Sequence, residues 1–123
     1  MSSEESANGE LVAGRLTELA RTRARAEARE TEAMLRYRDD EMVRIETCER
    51  PLLRQVERAA IVMDIGQAVG LSEGQVHGRL AMADRVREHT PRVWLAFRDG
   101  RIDLSRVWEI SSTVDVLQRD DSY

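Results

Sequence analysis

From Pro51 onward, apolar residues return at intervals of three and four, the spacing that stacks side chains on one face of a helix. Leu52, Leu53, Val56, Ala59, Ala60 and Met63 form one stripe, and Ile61, Val62, Ile65 and Val69 widen it. A helix apolar over that much of its circumference is expected to be central, contacted from two sides. Val76, Leu80 and Ala83 share a face of the next segment. Leu104, Val107, Trp108, Ser111 and Val114 share one in the last, with Trp94 and Phe97 supplying bulk between them. No period-two alternation lasts more than a few residues, so strands are not expected. Before Pro51 the pattern thins. Leu11, Leu16 and Leu19 begin a stripe, residues 20–32 offer only alanines, and Met34, Leu35, Met42, Val43 and Ile45 resume it. Arg and Glu alternate there in blocks, which favours helix with pairs between neighbouring turns. The heptad pattern is not sustained, so residues 10–50 read as a charged arm of one or two solvated helices packed on one side. Residues 1–9 are small, polar and acidic without an apolar anchor, and are expected to be disordered.

The helix ends are written in local chemistry. Gly70 stops one helix, because glycine takes the left-handed C-terminal conformation at no side-chain cost. Ser72 starts the next, with Gln75 placed to complete a capping box. That helix should run to about His89, where Thr90 and Pro91 form a cap followed by proline at the first helical position. A short helix then ends at Asp99-Gly100. Asp103 caps the last, with Ile102 and Val107 spaced for a hydrophobic staple. The predicted fold is all-α: a bundle of short helices with helix-turn-helix-like hairpins and a longer charged N-terminal helix.

Residues 91–107 read P-R-V-x-x-A-F-R-D-G-R-I-D-L-S-R-V, and residues 71–86 read L-S-E-G-Q-V-H-G-R-L-A-M-A-D-R-V. Together they resemble the 13E12-repeat family (domain of unknown function 222). There a helix opening with Leu-Ser leads into a proline, an apolar turn, then Gly-Arg-Ile and another helix. The resemblance is best over the second half and weak before about Pro51. Members are typically actinobacterial, and many carry an HNH endonuclease domain at the far C-terminus. The resemblance implies that residues 51–123 form a 13E12-repeat-like helical domain, expected to be incomplete at its C-terminus. Any nuclease belongs to a longer parent protein.

Composition narrows the setting. All 19 basic residues are arginine, as a GC-rich genome would give. With 123 residues there is one domain at most, and with aromatics at 4% its core must be aliphatic. The formal charge of -4 argues against non-specific attraction to nucleic acid over the whole surface. Cys48 is the single cysteine and has no internal partner for a disulfide. The N-terminus lacks the basic and apolar regions of a signal peptide, and no apolar run reaches membrane-spanning length. A cytoplasmic protein without membrane attachment is expected.

Three readings of the residues remain. Ile65, Gly66, Val69, Gly70, Leu71 and Val76 follow a helix-turn-helix pattern, broken by Arg79 where an apolar residue is wanted. A recognition helix there would expose Ser72, Glu73, Gly74, His77, Gly78 and Ala81, a poor face for reading bases. Phosphate-directed, weak contact with DNA would fall to Arg79, Arg85, Arg87, Arg101 and Arg106. Self-association, or docking to a downstream nuclease domain, is the third. Catalysis finds no motif: His77 and His89 lie in no metal-ligand pattern, and no cofactor or metal is expected. The expected function is a non-catalytic helical domain with a docking, assembly or DNA-placement role. The alternatives are a stand-alone helix-turn-helix regulator and a purely structural dimerisation module.

Overall fold

The computed structural model describes residues 3–121. They form five helices: α1 (Ser3–Glu46), α2 (Pro51–Val69), α3 (Glu73–His89), α4 (Pro91–Arg98) and α5 (Leu104–Asp121). No strand occurs among the described residues, and the all-α bundle expected from the sequence is the fold. No helix among them is long and apolar enough to cross a membrane.

The spine of the bundle is α1, and it departs from the sequence reading at its start. It is one continuous helix of 44 residues, roughly 65 Å long by helical rise, and it opens at Ser3 inside the stretch expected to be disordered. Ser3 to Arg23 are all exposed; burial begins at Ala24. From there Ala24, Ala28, Thr31, Met34, Leu35 and Ile45 are buried. Residues 24–45 thus pack one face against the bundle, as a helix packed on one side would, and leave most of their other side chains in solvent. The alanine segment that carried the weakest apolar signal supplies two of the buried positions, Ala24 and Ala28.

Side-chain pairs fix the directions of the other helices. Tyr37 with Asp64 and Arg44 with Glu57 set α2 antiparallel to α1. Arg79 with Glu30 and Arg38 with Asp84 set α3 parallel to it. Arg98 with Glu32, and Arg25 donating to the Asp99 carbonyl, set α4 antiparallel. Arg85 with Ser111 and His89 with Gln118 run α5 alongside α3 in the same sense. The core these helices enclose is mostly aliphatic, with Leu35, Ile45, Val76, Met82, Val86 and Val107 fully buried. Trp94 and Phe97 meet edge to face at 5.6 Å within it.

Contrary to the expectation of a central helix, α2 is one-sided. Ile61, Val62, Ile65 and Gly66 are buried, whereas Leu52, Leu53, Val56 and Met63 are exposed. Only α1 and α3 cover it, so the wide apolar stripe is half in water.

The caps follow the local chemistry except at Thr90, whose hydroxyl donates to the Val86 carbonyl at the end of α3 and makes no hydrogen bond to the start of α4. Gly70 sits at φ 72 and its N–H donates to the Gly66 carbonyl, closing α2. Ser72 Oγ accepts from the Gln75 N–H at 3.2 Å while Gln75 Oε1 accepts from the Ser72 N–H at 2.9 Å. Pro91 opens α4. Gly100, at φ 78, lets the Arg101 N–H reach back to the Ala96 carbonyl at 2.9 Å. Asp103 Oδ1 accepts from the Arg106 N–H at 2.9 Å and starts α5.

Candidate interaction surfaces

The arginines proposed from sequence as phosphate contacts do not share a face. Arg79 is buried, at 6% exposure. Its Nε donates to Thr31 Oγ1 at 3.0 Å, one Nη to Glu30 at 2.6 Å, and the other to the Glu27 carbonyl at 3.1 Å. It is a tie between α3 and α1, and the expectation that it contacts nucleic acid is corrected. Where the helix-turn-helix pattern wants an apolar side chain, the fold supplies a buried cation whose donors are occupied. Arg85 turns toward α5, donating to Ser111 Oγ at 2.9 Å and lying 3.7 Å from Asp115. Arg101 lies 3.4 Å from Asp99 and Arg106 3.8 Å from Glu109, both in solvent. Arg87 enters a concave site between α1, α3 and α4.

The hairpin of α2 and α3 has the left-handed turn at Gly70 that a helix-turn-helix needs. Its second helix opens with Glu73, Gly74, His77 and Ala81 exposed. Gly78 is covered by Trp108 of α5, whose ring would stand 3.3 Å from a Cβ there. No side chain that forks onto a base edge projects from these turns except Gln75, which is engaged in the capping box.

The concave site that receives Arg87 lies where α1, α3 and α4 meet and encloses about 630 Å³. Arg29, Glu32, Ala33, Arg36, Asp39 and Asp40 come from α1, Arg87 from α3, and Trp94 and Arg98 from α4. Arg98 Nε is 2.8 Å from Glu32, and Asp39 is taken by Arg38. Sequence reasoning, which had considered Arg98 among the possible phosphate contacts, missed Arg29 and Arg36. The available signal was the seven-residue spacing of Arg29 and Arg36 around Ala33, which places all three on one helix face.

Apolar surface is left uncovered in three places. Leu11, Val12, Leu16 and Leu19 on the projecting half of α1 are each more than half exposed. Leu52 and Val56 at the start of α2 are as open, and so are Val116 and Leu117 near the end of α5. A narrower groove of about 400 Å³ runs between α1 and α2, walled by Ala33, Met34, Ile65, Ala68 and Val69. Tyr37 closes its rim by donating to Asp64 Oδ2 at 2.9 Å, and that hydrogen bond to a carboxylate raises the tyrosine above its ordinary pKa of 10.0.

His77 is exposed, and His89 lies against Gln118. Among the described residues no group of three His, Cys, Asp or Glu side chains is arranged to hold a metal ion. Compared with protein-family models, curated proteins and solved structures, the chain matches none. None of the three comparisons supports the resemblance of residues 71–107 to the 13E12-repeat family.

Proposed function

We propose that the chain is a non-catalytic helical docking and assembly domain, and that a second copy is its partner through the projecting half of α1. The observation that carries this is Leu11, Val12, Leu16 and Leu19, exposed together on a helix end beyond the first buried residue, Ala24. Val12, Leu16 and Leu19 follow four-three spacing, the short seam that two helices share when they pair. Charge sets the sense of pairing. The projecting half starts with Glu4, Glu5 and Glu10, continues through Arg15 and Glu18, and ends with Arg21 and Arg23, with Arg25 in the next turn. Antiparallel pairing lays the acidic end of each copy along the basic turns of the other. So short a seam must also offset the cost of association, which places the affinity at roughly micromolar.

The resemblance of residues 71–107 to the 13E12-repeat family supports a cytoplasmic setting in which such a domain precedes an HNH nuclease and brings copies of it together. Sequence reading by α3 is the weaker proposal. The Gly70 turn favours it, but Glu73, Gly74, His77 and Ala81 give it little to read with.

Size-exclusion chromatography with light scattering tests the assembly. The wild type should climb from the 14.1 kDa monomer toward twice that mass across the micromolar range. Leu16→Glu with Leu19→Glu should stay monomeric with unchanged helicity. A wild type that stays at the monomer mass throughout that range rejects the proposal.

A further inference from the structure

Independently of assembly, the cleft between α1, α3 and α4 has the makings of an anion site. Arg29 and Arg36 stand two turns apart on α1, about 10 Å by helical rise, and Arg87 enters from α3. None of these three guanidinium groups makes a hydrogen bond or ion pair with a described residue. On a chain where 23 acids outnumber 19 bases, these three stay without carboxylate partners among the described residues, while Arg38, Arg44, Arg79, Arg85 and Arg98 of the folded body are paired. Cations from separate helices that face a common concavity without partners keep their donors available to a ligand. Between them the lining includes Ala33 and Trp94, the latter only 7% exposed and anchored in the core. A volume of about 630 Å³ falls within the range of small-molecule sites.

We propose that this cleft binds a compact phosphate-bearing small molecule, held by Arg29, Arg36 and Arg87. Guanidinium groups present paired donors that match phosphate oxygens and stay charged at any physiological pH. Glu32, Asp39 and Asp40 on the same rim decide between ligand classes. An extended nucleic-acid backbone would bring successive phosphates against these carboxylates. A compact ligand with its charge at one end meets the arginines and offers hydroxyl groups to the acids.

Trp94 makes the test direct. The chain has two tryptophans, so Trp108→Phe leaves Trp94 as the sole tryptophan, which long-wavelength excitation reads apart from the tyrosines. The protein is titrated at constant ionic strength with inorganic pyrophosphate, with ribose 5-phosphate, and with a twelve-nucleotide single strand. In wild-type protein the Trp94 indole N–H resonance reports the same event, so the result does not depend on the variant folding. The expected result is a saturable response to pyrophosphate or ribose 5-phosphate, weakened at least about tenfold by Arg36→Gln with Arg87→Gln. The exposed pair Arg101→Gln with Arg106→Gln should leave it unchanged. No saturable response to either small ligand overturns the proposal, as does equal weakening by the two double variants. Tighter binding of the oligonucleotide also overturns it and reassigns the arginines to a nucleic-acid backbone.

Discussion

Arg79 donates to a hydroxyl, a carboxylate and a main-chain carbonyl on α1, and each acceptor lies in a different direction. A flat guanidinium with fixed N–H vectors fits such a fan, and an ammonium does not. Arg79→Ala should cost about 2–3 kcal/mol in chemical denaturation, and Arg79→Lys should recover little of it. Neither should alter pyrophosphate binding, because Arg79 does not line the cleft. Two glycines of the α2–α3 hairpin should part ways under the same measurement. A Cβ at Gly66 would lie 2.6 Å from the Leu71 carbonyl oxygen, a main-chain atom of the turn. Gly66→Ala should therefore destabilise by about 1–3 kcal/mol. Gly74 has open space around it in the first turns of α3, so Gly74→Ala should stabilise by up to about 1 kcal/mol. Tyr37 gives a pH signature. Its hydrogen bond to Asp64 favours the neutral phenol, so its folded pKa lies above the unfolded one. The contribution to stability is in place below pH 10 and is lost as pH rises through the raised folded value. Absorbance titration should show Tyr37 ionising late, and Asp64→Asn should bring it back toward the ordinary range.

Among the elements, the starts and stops of α2 to α5 were readable because they are local. Gly70, Ser72 with Gln75, Pro91, Gly100 and Asp103 each act within four residues of chain, and each does in the fold what its type predicts. The role of α1 was not readable. Ala24, Ala28 and Thr31 carry little apolar signal, and their burial depends on helices that arrive from residues 50 and more positions away. The converse error occurred on α2, where an apolar stripe at Leu52, Leu53 and Val56 marks a face without saying whether anything covers it. The anion cleft was only partly visible for the same reason. Arg87 could be named as a contact, but its convergence with Arg29, Arg36 and Arg98 exists only once three helices have packed. Ala28, at 1% exposure, tests the spine assignment. Ala28→Leu inserts methylenes into a filled contact and should destabilise by about 1–3 kcal/mol. If residues 10–50 were a solvated arm, the same change would be neutral or slightly stabilising, and a denaturation curve separates the two.

At the scale of the molecule, the fold divides α1 between two environments. Its second half is the core contact of a bundle, and its first half, Ser3 to Arg23, is exposed at every residue. A helical end of that length is marginal in water without packing. Its apolar stripe and the charge reversal along α1 offer a second copy both contact and register. Hydrogen exchange over residues 3–23, followed by mass spectrometry at low and high micromolar concentration, reads that pairing out. Pairing through this end gives fast exchange at low concentration and marked slowing at high concentration, with the slowing abolished by Leu16→Glu and Leu19→Glu while residues 24–45 remain protected. Exchange over residues 3–23 that is equally fast at both concentrations would contradict it.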